Sequence, residues 1–190
     1  MPWAPPDPPL RAPDFIMRPF RREDAASVVA SCADPEIPRF TFMKEGLNLL
    51  EAEQWVERGN DGWTAGHVRL AIVDGTDALL GQIGFAVNDH YGSAEAFYWL
   101  TADARGRGVA TRALSLVADW AFEGGVERLF LLVHPENEPS HRVAQRCGFS
   151  REGVLRAFER FKGQRADLVS WSLLPEDPRS SPQERTITAR

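Results

Sequence analysis

Six residues, Arg105-Gly106-Arg107-Gly108-Val109-Ala110, hold the sharpest chemical pattern in this chain. They leave a strand-like run, Tyr98-Trp99-Leu100-Thr101, and open an amphipathic helix. A glycine-rich turn at such a junction aims several backbone N–H groups at one anion, at the positive end of the helix dipole. Glycine suits the turn because a side chain would block a phosphate and because such turns often need positive φ. An all-apolar run, Leu129 to Val133, comes next, followed by Asn137-Glu138-Pro139-Ser140-His141-Arg142-Val143-Ala144-Gln145-Arg146-Cys147-Gly148-Phe149. That order points to a protein that holds a diphosphate. The turn is not a Walker loop, since no Gly-Lys-Ser/Thr follows, and its glycines miss the dinucleotide offsets. On its own, Gly-x-Gly at a helix start is also a common structural turn.

Other side chains carry two readings each. Asn137 and Ser140 sit where a helix begins and serve equally as N-cap residues. Glu159 falls on the first strand of a closing hairpin, in Ala157-Phe158-Glu159-Arg160-Phe161. Burial among Phe158 and Phe161 would raise its pKa toward that of a useful base. The plain alternative is a cross-strand ion pair with Arg160 or Arg165. His134 and His141 lack a Ser/Asp or Cys partner at a telling spacing and read as surface residues. Cys32 and Cys147 read as reduced core thiols, and no His/Cys grouping suggests a metal.

The elements that position these residues follow from periodicity. At 190 residues, 43% hydrophobic, the chain is one domain with a real core. A net charge of −5 argues against nucleic acid or an anionic membrane as the main partner. The N-terminus lacks a signal-peptide core and no apolar run reaches bilayer length, which suggests a cytoplasmic protein. Residues 1–12 are proline-rich and read as a flexible, extended leader, with residues 176–190 a loose tail around the domain at 13–175. Helix faces are spaced at Ala25, Val28, Val29, Cys32 and at Ala52, Trp55, Val56. Val68 to Val73 and Leu79 to Val87 pair through a turn with Asp74-Gly75, and Ala94 to Thr101 adds a third strand. Leu129 to Val133, without alternation, reads as a central strand buried on both faces. Strands near 151–162 and 165–174 turn at Lys162-Gly163-Gln164. The result is an α/β (α+β) fold: a mixed, mostly antiparallel sheet flanked by helices, with one right-handed crossover carrying the glycine turn.

On its two motifs the chain resembles the GCN5-related N-acetyltransferases, most closely their ribosomal-protein-acetyltransferase-like branch. Arg105-x-x-Gly108-x-Ala110 is similar to the acyl-CoA motif. Asn137-x-x-Ser140-x-Arg142-Val143-Ala144-x-Arg146-x-Gly148-Phe149 is similar to that branch's second motif. The likeness spans roughly residues 14–174. It implies an N-acetyltransferase that uses acetyl-CoA by direct ternary-complex transfer to a primary amine, without a metal. The strands 94–101 and 129–133 would splay, with the pantetheine arm pairing like an extra strand with Trp99, Leu100 and Thr101. Arg105, Gly106, Arg107, Gly108, Val109, Ala110 and Thr111 would hold the pyrophosphate, and Asn137 the pantetheine amides. A backbone N–H near Trp99 or Leu100 would be the oxyanion donor. Ser140 would protonate the departing thiolate, since the position where many members carry a tyrosine is Ala144 here. Glu159 would take the amine proton, directly or through water, and Phe40 and Phe42 would line the acceptor pocket. The acceptor is left open between a protein N-terminal α-amine and a small molecule such as an antibiotic, amino acid or polyamine. So are succinyl-CoA as donor, a non-catalytic acyl-CoA-binding module, and a monomer or homodimer.

Overall fold

The computed structural model describes residues 3–179. In chain order, β1 (Arg11–Ala12) and β2 (Phe15–Arg18) precede helices α1 (Ala25–Cys32), α2 (Glu36–Phe40) and α3 (Leu49–Asp61). A meander of β3 (His67–Val73), β4 (Leu79–Asn88) and β5 (Ser93–Leu100) leads into α4 (Val109–Glu123), β6 (Arg128–Val133) and α5 (Glu138–Arg146). The chain closes with β7 (Ser150–Phe161) and β8 (Gln164–Leu173). The strands form one sheet in the order β1-β2-β3-β4-β5-β6-β8-β7.

Period-two alternation splits the sheet's side chains between two cores. On one face Leu70, Ile72, Ile83 and Phe85 meet Ala113, Leu114, Val117 and Ala121 of α4. On the other, Ala71, Val73 and Trp99 meet Val28, Cys32, Ala52 and Val56 of α1 and α3. Among the described residues strands β5 and β6 are the only parallel pair, and they pair for three residues: Ser93, Ala94 and Glu95 with Arg128, Leu129 and Phe130. Past those, β5 goes on pairing with β4 as far as Leu100 and β6 with β8 as far as Val133. Each strand is therefore held from its outer side while the two part, and an opening forms between them.

Three expectations are corrected. The proline-rich leader is anchored rather than free: Trp3, Leu10 and Ala12 pack against the core, while residues 4, 5 and 7–9 are exposed. Trp3 sits edge-on to Phe85 and Trp120 at 4.7 and 5.0 Å, and Arg11 and Ala12 pair with β2. Aromatic burial there outweighs the entropy that the prolines already reduce. Strand β6 is not buried on both faces: Leu129, Leu131 and Val133 are buried, whereas Phe130 and Leu132 are only half-buried. Of the expected C-terminal tail, residues 180–190 lie outside the described part. Residues 176–179 are tied down, with Asp177 accepting from Leu174 N and Arg179 paired with Asp119.

A buried ion pair fixes β2 to the start of α1. Arg18 donates two hydrogen bonds to Asp24 at 2.8 and 2.9 Å, with side chains 7% and 8% exposed. Asp24 loses from burial but gains more from Arg18 and the Arg21 N–H, so its pKa is lowered. Asp24→Asn is expected to cost about 2 kcal/mol, below the usual cost of breaking a buried pair, because Arg18 would lose its buried partner but keep the half-exposed Asp77 at 2.9 Å. Urea unfolding at neutral pH reads the loss. Because the folded pKa is depressed, the contribution is complete above the ordinary aspartate range and fades as pH falls through it.

Candidate active site

The glycine turn does what its composition demands. Gly106 and Gly108 hold φ of 73° and 72°, and Gly108 caps α4 with no side-chain hydrogen bond. The N–H groups of the first helical turn therefore lack protein partners. A Cβ at Gly106 would meet nothing within 4 Å, so the turn faces open space of the kind a phosphate fills. A cleft of about 270 Å³ runs from Arg105, Gly106, Gly108, Val109, Ala110 and Thr111 along β5 to Asn137 and Ser140.

The two arginines of the turn part company. Arg105 lines the cleft, yet it is paired with Asp34 at 2.7 Å and donates to the Leu100 carbonyl at 3.0 Å. Arg107 is exposed and does not line the cleft. The cationic rim comes instead from Arg142 and Arg146 on α5, whose side chains the sequence reading left without a role. Their spacing of four on a helix facing the turn was the available signal.

The β5 edge also differs from expectation. Thr101 N donates to the Leu80 carbonyl, and Leu80 would face Thr101 in the register that sets Gln82 opposite Trp99. Antiparallel pairs alternate, so Thr101 and Trp99 turn their backbone groups to β4. Tyr98 and Leu100 then turn theirs to the opening. The backbone groups turned toward the opening belong to Tyr98 and Leu100, not to Trp99 and Thr101, and of these the Leu100 carbonyl already accepts from Arg105. Trp99 serves through its ring, whose Nε1 donates to buried Gln82 at 2.9 Å.

Asn137 caps α5, its Oδ1 accepting from Ser140 N at 3.2 Å. The cap uses only the amide oxygen, and the amide NH₂ remains for the cleft. Ser140 lies on the wall shared with a second, larger cavity of about 670 Å³. The two spaces also share Phe40, Thr41, Tyr98, Trp99 and Asn137. Tyr98 Oη is buried at this junction and completes no hydrogen bond. Burial raises its pKa, while Ser140 comes near enough to oppose that rise without an aligned bond. A hydroxyl that has lost water and gained no partner stabilises nothing. Tyr98→Phe should therefore leave stability unchanged or raise it by up to about 1 kcal/mol. A clear drop in melting temperature would contradict this account.

In the larger cavity Glu159 stands opposite a residue that sequence reasoning missed. Glu95, on β5, lines the same space, and its pKa is raised by burial and then by the Glu159 charge. Its signal was a lone acid in an otherwise apolar strand, Ser93-Ala94-Glu95-Ala96-Phe97. Glu159 makes no ion pair with Arg160 or Arg165, and Phe158 is 54% exposed and does not bury it. A bulge does the positioning. Between Leu155↔Leu168 and Glu159↔Ala166, β7 carries two extra residues. Asp167 accepts from the freed Ala157 N–H at 2.7 Å, and Arg165 donates to the Ala157 carbonyl at 3.1 Å. Ala157 itself takes φ of 47°. Such a bulge re-aims a side chain, here Glu159 into the cavity.

Phe40 and Phe42 both line this cavity: Phe42 meets Phe161 at 5.2 Å and Phe40 meets His134 at 5.9 Å. His134 is not a surface residue. It is half-buried on the cavity wall, 4.6 Å from Phe161, and burial lowers its pKa against the pull of Glu159 and Glu136. His141 accepts from Trp171 Nε1 at 3.1 Å and its other nitrogen meets the Pro135 carbonyl, a structural pin. Cys32 and Cys147 are buried, with Cys32 pushed up to about 11 by burial.

A mixed sheet parted at its parallel pair, with a glycine-turn cleft on one side and an acid-lined cavity on the other, is an acyltransferase architecture. The chain belongs to the acetyltransferase (GNAT) domain family, which it matches over residues 14–150, and it is an N-acetyltransferase. It is 29% identical over 167 residues to the uncharacterized N-acetyltransferase p20 of Bacillus licheniformis, covering 86% of this chain and 94% of that protein. It is 28% identical over 142 residues to the spermidine N(1)-acetyltransferase of Escherichia coli, covering 73% and 74%. Among solved structures, Mycobacterium smegmatis RimJ in complex with CoA-disulfide superposes with a TM-score of 0.81 at 23% identity. That match covers 92% of this chain and 88% of the other.

Proposed function

We propose that the donor is acetyl-CoA, bound in the cleft between β5 and β6, and that the acceptor amine enters through the larger cavity. The observation that carries this reading is the meeting of the two spaces at Tyr98, Trp99, Asn137 and Ser140. A thioester brought along the cleft and an amine brought through the cavity would touch there. The pyrophosphate fits the free N–H groups from Gly106 to Thr111, with Arg142 and Arg146 as countercharges. The pantetheine amides fit the cleft-facing edge of Tyr98 and Leu100 and the free amide of Asn137. The Leu100 or Tyr98 N–H polarises the thioester carbonyl.

The amine gives its proton to the Glu95–Glu159 pair and attacks the carbonyl carbon. The tetrahedral adduct collapses as the C–S bond breaks, and the thiolate takes a proton from Ser140 as the proton taken from the amine is passed back to the serine through water. Burial raises the pKa of Glu95, which helps a base work nearer neutral pH. The coupled acids beside the junction favour catalysis over a module that only binds acyl-CoA. A protein N-terminal α-amine, with a reference pKa of ~7.7–8.0, asks less of that base than a lysine near ~10.4. A small-molecule amine fits the enclosed volume equally, and a relative is named for spermidine. Acetyl-CoA and succinyl-CoA offered with a panel of peptides and small amines, read by acceptor mass shift, tests donor and acceptor together. A panel on which no amine gains an acyl group would overturn the reading.

A further inference from the structure

The acceptor cavity has a second charged pole. Arg58 of α3 and Arg69 of β3 both line it, and Arg69 feels the charge of Arg58. Among the described residues neither has a carboxylate at ion-pair distance. By contrast Arg18, Arg22, Arg105, Arg112 and Arg128 have acidic partners at 2.6–2.8 Å. Arg69 is half-buried, its guanidinium 5.0 Å from the Trp55 ring centroid, and burial lowers its pKa before Arg58 adds to the effect. Two neighbouring guanidinium groups, one partly desolvated, repel each other unless an anion joins them.

The sheet register places this pole relative to the acids. Arg69 faces Gly84 of β4, and Gly84 faces Phe97 of β5. Glu95 is two residues before Phe97, so it points to the same face as Arg69. Two strand spacings, about 10 Å, separate the strands that bear them. Between them lies Gly84, where a Cβ would meet the Val68 carbonyl at 2.0 Å. The Phe97 ring lies against this glycine, its Cε2 3.0 Å from where the Cβ would stand, so the floor joining the two poles is backbone partly covered by that ring. Guanidinium groups are matched to planar carboxylate and to phosphate oxygens by their fork of donors.

We propose that the acceptor carries an oxyanion, carboxylate or phosphate, on the same molecule as its amine. Arg58 and Arg69 bind the oxyanion while the amine lies at Glu95 and Glu159. The inference rests on the cavity being the acceptor site. It separates this enzyme from one for polycations, to which the arginine pair is repulsive.

Matched acceptors test it on the full chain with acetyl-CoA. One pair is a short peptide with a free C-terminal carboxylate and its C-terminal amide. The other is an aminoalkyl phosphate and the corresponding amino alcohol. At least a tenfold advantage in kcat/KM, chiefly in KM, is expected for the anionic member of one pair, and which pair shows it identifies carboxylate or phosphate. Arg58→Gln and Arg69→Met should each shrink that ratio and together bring it near one, with melting curves confirming folded protein. Arg69→Lys should keep part of it. Ratios near one in the unmodified enzyme, or a ratio that survives both substitutions, overturn the proposal. Titrating both matched pairs onto the CoA complex reads the subsite without turnover. A tenfold affinity gap in either pair without any acetyl transfer would support the anion subsite and sink the transfer reading, whereas equal affinities within both pairs would sink the subsite.

Discussion

Glutamine in place of both Glu95 and Glu159 is expected to lower kcat by ~10²–10⁴ while acetyl-CoA affinity stays close to that of the unmodified enzyme. The two carboxylates line the acceptor cavity and not the donor cleft, so their loss should fall on the proton transfer. The pH profile sharpens the test. Glu95 is pushed above its ordinary 4.5 by burial and by Glu159, so the acidic limb of the profile belongs to the pair and lies above that value. Removing the like charge with Glu159→Gln should move the limb toward lower pH, whereas Ser140→Ala should lower the rate and leave the limb in place. Stability changes in the opposite sense. A carboxyl whose folded pKa is raised favours the folded state fully below its unfolded value. That contribution drains away as pH rises through the raised one. Glu95→Gln should therefore be more stable than the unmodified protein at pH 7, by a margin that shrinks on acidification. Unmodified turnover in the double variant would remove the carboxylates from the mechanism.

Gly108→Val is expected to weaken acetyl-CoA binding at least a hundredfold and to leave a folded protein. At φ of 72° a β-branched residue is strained, by about 1–2 kcal/mol, which a domain of this size tolerates. Its Cβ would meet only the end of Arg112, at 3.4 Å, so no core contact is lost. What changes is the space in front of the N–H groups that open α4. Gly163→Val supplies a control matched in strain: φ is 82°, nothing lies within 4 Å, and the residue sits in the β7–β8 turn. Equal loss of affinity in both variants would mean that strain, not blocked phosphate space, is responsible.

What was legible in the chain was what local rules determine. The meander, the crossover and the helix caps follow from alternation, from the Asp74-Gly75 turn and from Asn137 before Pro139. Each acts within a few residues. The glycine turn announced itself because φ near 70° at two positions leaves little choice of residue. Glu95 escaped notice because its importance arises from Glu159, far off in sequence and adjacent only once β7 bulges. Arg58 and Arg69 look like ordinary surface cations until helix and strand are docked and no acid arrives opposite them. The leader misled for a related reason: five prolines exclude a helix but do not forbid Trp3 from finding Phe85 and Trp120. Charge partners and aromatic docking are properties of the folded chain as a whole.

The parting of β5 from β6 after Glu95 and Phe130 leaves two bare edges facing each other inside one sheet. Soluble proteins elsewhere hide such edges with lysine, proline or a covering loop, because an open edge invites another chain to add itself. No such guard is possible where a substrate must enter lengthwise. Geometry limits the exposure, since the gap widens along the strands and only an extended chain threaded between them meets both. Because the proposed donor would fill that gap, the donor-free enzyme is expected to self-associate more than the CoA-loaded one, which light scattering with and without added CoA would check.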